Sequence, residues 1–212
     1  MTRIELVTFE MDWGYCIEKI KQLDVKKPAS YKTHHSITNE WSIYRWSKYL
    51  GIENIEIQKE IEDFLYFNYL KAIYPETTID DPKSFLVKEK GKVLLIDDEV
   101  AKGWDAFFKS FFEFSHSITF KSIGKDFKML TQEEIVERTK SEITVFDADV
   151  VLLDLRLHDE DFETKKASEL TGAKIFNAIK EINKGIQIVI FSASNKVWNY
   201  LPFASEGIVL KE

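Results

Sequence analysis

Cysteine occurs once in the 212 residues, as Cys16. Neither an intramolecular disulfide framework nor a multi-cysteine zinc site is therefore open to the chain, and a reduced, intracellular setting is the expectation. Glycine (8) and proline (4) are scarce, which excludes collagen-like and low-complexity architectures. No apolar run approaches the roughly 20 residues of a membrane-spanning helix. No basic stretch followed by an apolar one opens the chain, so no signal peptide is visible. An excess of positive charge is missing as well. The net charge of −7 argues against broad electrostatic attraction to nucleic acid, and no nucleic-acid binding by this segment is expected. What remains is ordinary globular composition, 44% hydrophobic and 31% charged, long enough for one large domain or two small ones. A cytoplasmic protein without a membrane segment is the expectation.

Texture rather than charge divides the chain. Residues 1–74 are rich in aromatics, including Trp13, Trp41, Trp46 and the run Phe64-Leu65-Tyr66-Phe67-Asn68-Tyr69. They read as a mainly helical N-terminal module. Arg3–Phe9 alternates like a strand, and residues 13–23 have helical spacing. Asn39 can cap a helix over Glu40–Leu50 closed by Gly51. A longer helix is expected from about Asn54 to Tyr74, apolar nearly all round in its second half, hence buried or packed on a partner. The aromatics from Trp41 to Tyr49 read as core or interface. Residues 75–90, with Pro75, Pro82 and Asp80-Asp81, read as a connector. Cys16 reads as a core thiol. The pair His34-His35 reads as surface in a polar loop, without ligand partners at metal spacing.

Residues 91–212 alternate short β-branched apolar runs with helix-period segments. Lys92–Asp97 (KVLLID), Ser117–Ile123, Asp149–Asp154 (DVVLLD), Ile186–Phe191 and Gly207–Leu210 read as strands. Residues 100–114, a charged segment from Thr131 to about Ile143, and Ser168–Asn183 read as helices. Strands apolar on both faces and separated by helices imply an α/β fold, a doubly wound parallel five-stranded sheet covered on both sides. Right-handed crossovers align the carboxyl ends of the strands along one edge, where ligands of such folds bind.

Asp97 and Asp98 (with Glu99), Asp154, Ser192 and Ala193, and Lys211 fall at those ends. Three carboxylates in one place repel and call for a cation to stay ionised. Mg2+, a hard ion that accepts carboxylate and phosphate oxygens, fits, with Mn2+ as a substitute. A carboxylate beside it can attack a phosphoryl group. Lys211 can pair with phosphoryl oxygens and the Ser192 hydroxyl can donate to them.

The stretches KVLLIDDE, DVVLLDL, IVIFSA and GIVLK, in that order with a helical segment in each gap, resemble the receiver domain of two-component response regulators. The resemblance covers residues 91–212 and nothing before. It implies that Asp97 and Asp98 hold Mg2+ together with Asp154, which is the phosphoacceptor, and that Arg156 lends its backbone carbonyl to the metal. It implies that Ser192 and Lys211 bind the incoming phosphoryl group. The implied activity is self-phosphorylation and self-dephosphorylation only, in a phosphorelay with a histidine kinase or phosphotransfer protein as partner. A homodimer is compatible with it.

Several features depart from the family pattern. The gaps from Asp98 to Asp154 and from Asp154 to Ser192 are long, and the second carries His158-Asp159-Glu160-Asp161-Phe162 then Lys165-Lys166, expected to be a solvated acidic-then-basic loop. Ile208 stands where receivers carry an aromatic switch residue, and Glu212 follows Lys211 where proline is common. No sequence is left for the final helix. A fragment of a longer protein is the favoured expectation, the other being that something else covers that face. Two further functions are weighed: a phosphorylation-silent interaction module, and an aspartyl-nucleophile phosphohydrolase. The latter wants an acid two residues after the nucleophile, where Arg156 stands.

Overall fold

The computed structural model describes residues 34–52, 70–71, 74, 90–113, 117–164, 166–194, 196–197 and 200–211, with backbone alone for 34–40. Five strands, β1 Gly91–Ile96, β2 Ile118–Ile123, β3 Val150–Leu153, β4 Gln187–Ser192 and β5 Gly207–Leu210, form one sheet in the order 2-1-3-4-5. All four pairings are parallel. This is the order of flavodoxin-like doubly wound sheets, with a switch point between β1 and β3. Among the described residues four α-helices accompany it: α1 His34–Leu50, α2 Trp104–Glu113, α3 Gln132–Phe146 and α4 Thr171–Ile182.

The strict alternation of a pleated strand sorts the apolar side chains onto two faces. Leu94, Ile96, Val151, Leu153, Ile188, Ile190, Ile208 and Leu210 point to one face, where Ile135 and Ile143 of α3 and Ile175, Phe176 and Ile179 of α4 cover them. Leu95, Leu152, Phe191 and Val209 point to the other, toward Trp104 and Phe107 of α2 and Ile43, Tyr44 and Leu50 of α1. Continuous apolar strands were expected from burial on both faces, and both faces are covered.

A helix from the N-terminal part, whose place was open in the sequence, lies on the second face beside α2. The aromatics of α1 are the means. Trp41 stacks on Tyr44 at 5.4 Å between ring centroids, and both, with Trp46, join the cluster around Trp104 and Phe191, while Tyr49 stays exposed.

Local signals explain most helix ends. α1 closes at Gly51 (φ 66°), with Ile52 N–H donating to the Ser47 carbonyl and Gly51 N–H to that of Lys48, the paired bonds of a Schellman turn. Its start is earlier than expected. Asn39 lies inside the helix, and His34-His35 form its first turn rather than a polar loop. Thr131 and Glu134 form the reciprocal capping box of α3. The helix expected over 100–114 is instead a 3-10 turn, Val100–Lys102, then Gly103 at φ 113°, then α2. The positive φ at Gly103 breaks the helix, because left-handed backbone is open chiefly to glycine. Ser168–Asn183 likewise splits into a 3-10 turn, Ala167–Glu169, and α4. The Arg3–Phe9 strand, the 13–23 helix, Cys16, nearly all of the helix at 54–74 and the connector lie outside the described residues. Leu70 is described, and it is buried with the α1 cluster.

Candidate metal and phosphoryl site

Parallel strands end together, and here the ends bring the chemistry into contact. Asp97 continues β1, its N–H donating to the Ile123 carbonyl, and Asp154 continues β3, donating to the Ile96 carbonyl. Ser192 ends β4, and Lys211 follows β5 with its N–H donating to the Ser192 carbonyl at 3.3 Å. Asp97, Asp154, Ser192 and Lys211 are all buried to 1% exposure or less, whereas Asp98 is only partly buried.

Lys211 Nζ donates to Asp97 Oδ2 at 2.7 Å and to Asp154 Oδ2 at 2.5 Å. The rings of Phe191 and Trp104 stand 5.1 and 5.9 Å from it, within cation–π range. Asp154 Oδ1 accepts from Ser192 Oγ at 2.6 Å and Leu155 N–H at 2.6 Å, with Arg156 N–H farther off at 3.4 Å. Asp97 Oδ1 accepts from Glu99 N–H at 2.7 Å. The five acid, hydroxyl and lysine residues singled out in the sequence thus converge. The Arg156 side chain turns away, its guanidinium 5.3 Å from the Phe162 ring and its Nε without a partner among the described residues.

Among the described residues, one lysine against three carboxylates leaves the site short of positive charge. Asp97, Asp98 and Asp154 each offer an oxygen within 4.8 Å of the others. Burial raises the Asp97 carboxyl above its ordinary range, opposed by Lys211 and reinforced by Asp154. Asp98 is pushed up to about 8, first by burial, then by repulsion from Asp154, Asp97 and Glu99. Burial alone would lower Lys211, but the attraction of Asp154 and Asp97 outweighs it and the net direction is upward. An all-oxygen, over-acidic donor set of this kind fits a hard divalent cation such as Mg2+.

This geometry has a pH signature. Asp98 holds its proton to about pH 8 when folded and to about 3.9 when unfolded. Between these values the folded state binds more protons, so the stability of the cation-free chain falls as pH rises through the window. A cation that replaces the departing proton stabilises most at the upper end. The rise in melting temperature caused by Mg2+ is therefore expected to be larger at about pH 8 than at about pH 6. Asp98→Asn is expected to raise the cation-free melting temperature by about 5 °C and to lose most of the Mg2+ response. Equal Mg2+ responses at both pH values would contradict the site.

Three supporting residues carried no sequence signal. Gly124, at φ 129°, lies where a Cβ would come 2.0 Å from the Asp97 carbonyl oxygen, and a Cβ on Gly172 would come 2.3 Å from that of Asp154. Each glycine lets backbone pass directly behind a site aspartate. Asp161, expected to be solvated, is fully buried. Its Oδ2 accepts from Leu157 and His158 N–H, and its Oδ1 from Thr171 N–H, Thr171 Oγ1 and Gln132 Nε2. The loop after Asp154 is thereby tied to the starts of α3 and α4. Elsewhere in the loop Asp159, Glu160, Glu163 and Lys166 are exposed, as expected, while His158 is half-buried. Ile208 is half-buried against the α3–α4 face, so no aromatic ring occupies that position.

No helix among the described residues is long and apolar enough to cross a membrane. No family model matches the sequence, and no curated protein matches it. Solved structures do. The signal receiver domain of a LuxO repressor protein from Vibrio parahaemolyticus is similar at TM-score 0.40 and 14% identity, over 57% of this chain and 78% of that one. The response regulator RcsB from Salmonella typhimurium is similar at 0.41 and 17%, over 58% of this chain and 53% of that one. RcsB from Salmonella enterica serovar Typhimurium, bound to promoter rprA in the presence of phosphomimetic BeF3-, is similar at 0.41 and 17%, over 58% and 61%. In its own right, the described part of residues 91–211 has a flavodoxin-like architecture, a parallel sheet in the order 2-1-3-4-5 with an acidic cluster at the carboxyl edge.

Proposed function

We propose that this chain is a regulatory phosphoacceptor in which Asp154 takes a phosphoryl group from a histidine kinase, a phosphotransfer protein or a small phosphodonor. The observation that carries the reading is the placement of Lys211 Nζ between Asp97 and Asp154, 2.7 and 2.5 Å from their oxygens. A buried cation already bridges an acid that can hold a metal and an acid that can attack phosphorus.

Asp154 Oδ2 accepts only from Lys211 among the described residues, whereas Oδ1 is occupied by Ser192 and backbone N–H groups. Oδ2 is thus the oxygen with lone pairs to spare. It attacks the phosphorus, the P–O bond to it forms, and the bond to the donor's leaving group breaks, with that electron pair departing on the leaving group. Lys211 Nζ passes from Oδ2 to the arriving phosphoryl oxygens, and the Ser192 hydroxyl is near enough to turn toward them. Mg2+, held by Asp97, Asp98 and Asp154 with the Arg156 carbonyl, would supply charge neutralisation for carboxylates and phosphoryl oxygens alike. No turnover of an external substrate is implied. The added charge of about −1.5 to −2 would bias a partner-binding surface in a cytoplasmic relay.

The test is intact mass after incubation with Mg2+ and acetyl phosphate, beside Asp154→Ala. One phosphoryl adduct that needs Mg2+ and disappears in the variant is expected. A folded chain that takes no adduct under any donor would favour a phosphorylation-silent interaction module.

A further inference from the structure

Lys211 is held at both ends. Its ammonium lies between Asp97 and Asp154. Its main chain directly follows β5, which has no strand on its far side among the described residues. There its N–H donates to the Ser192 carbonyl, and its carbonyl accepts from the hydroxyl of Ser42 on α1. Ser42 is buried to 1% exposure and is followed by Ile43 and Tyr44, which pack in one cluster with Trp104 and Phe191. Those two rings are the ones that face Lys211 Nζ. Helix and lysine therefore share a hydrogen bond and the same aromatic walls.

We propose that α1 is the element that reports the state of Asp154, and that Ser42 is the positioning residue coupling the two through Lys211. The inference rests on Asp154 being the phosphoacceptor. A new bond at Asp154 Oδ2 removes an acceptor that Lys211 Nζ now uses and moves negative charge outward onto phosphoryl oxygens. The ammonium follows that charge. Its stem is fully buried in close-packed surroundings with little slack, so the displacement passes to the main chain of the residue. The Ser42 hydrogen bond sits on that main chain. It weakens, and α1 is left to its apolar contacts and opens more often. A net buried hydrogen bond is worth about a factor of ten in such an opening equilibrium. This is a two-state element whose balance depends on the site, as a switch requires.

The test is amide hydrogen exchange of residues 41–50 in the full chain with Mg2+, with and without acetyl phosphate, the adduct being followed by mass in the same samples. Exchange in α1 is expected to rise about tenfold with the adduct in the wild type and to stay unchanged in Asp154→Ala. In Ser42→Ala, exchange is expected to be raised already and to respond less than about twofold although the adduct still forms, while Ser42→Thr, which keeps the hydroxyl, recovers the response. An adduct that leaves α1 exchange unaltered in the wild type overturns the inference and spares the phosphoacceptor reading. So does a full response in Ser42→Ala. Absence of any adduct overturns both. Should Ser42→Ala fail to fold, the wild-type and Asp154→Ala arms decide.

Discussion

Lys211→Met is expected to destabilise the cation-free chain by about 3–5 kcal/mol near neutral pH, the usual cost of removing one partner from a buried ion pair. Asp97 and Asp154 would keep their burial and lose the positive charge that stands 2.7 and 2.5 Å away in the wild type. Methionine keeps much of the length of the stem against Trp104 and Phe191, so the loss would be electrostatic more than steric. Two agents should return part of it. Mg2+ supplies the missing positive charge, and acid supplies protons to carboxyls that burial already holds high. Melting temperatures about 10 °C below wild type without Mg2+, with most of the gap closed by saturating Mg2+, are the expected result. A variant as stable as the wild type would mean that the lysine does not balance the cluster. A variant that Mg2+ cannot restore would mean that the three carboxylates do not form a cation site.

Asp161→Ala is expected to cost about 3 kcal/mol or more, and Mg2+ should recover none of it. The carboxylate gathers five donors from three segments, and an orphaned buried donor costs roughly 1–3 kcal/mol before local relaxation. Asn is not a remedy. Each carboxylate oxygen faces at least two donors, so an amide nitrogen would meet N–H groups whichever way it is turned. Urea denaturation of both variants, with and without Mg2+, separates this structural clamp from the metal-coupled Lys211. Wild-type stability in Asp161→Asn would show that the loop is not held as described.

The contrast between these two residues shows what could be read in advance. Lys211 was legible because it ends an apolar strand in a fixed order of strand ends, and parallel topology turns that order into proximity. Strand positions came through within a residue or two for the same reason, since both-face burial leaves an unbroken apolar run. Asp161 was not legible. It stands among four acids within six residues, and only the fold decides that this one turns inward while Asp159 and Glu160 stay in water. Gly124 and Gly172 are required by backbone that passes behind them, from segments distant in sequence. Ser42 lies 169 residues from its partner, and a serine inside an aromatic-rich helix carries no mark of its role. Which element lies on the second face was not legible, because local pattern cannot say which helix packs on which sheet. The tertiary pairing of α1 with α2 decides it.

The central claim, that Asp154 and no other group accepts phosphate, is tested most directly by locating the phosphoryl group after reaction with acetyl phosphate and Mg2+. The adduct is reduced with borohydride, the chain is digested, and the modified residue is read by peptide mass spectrometry. Modification confined to Asp154, and lost when Mg2+ is withheld, is the predicted result. Modification at Asp97 or Asp98, or none on a chain that shows the pH-dependent Mg2+ stabilisation, would contradict it.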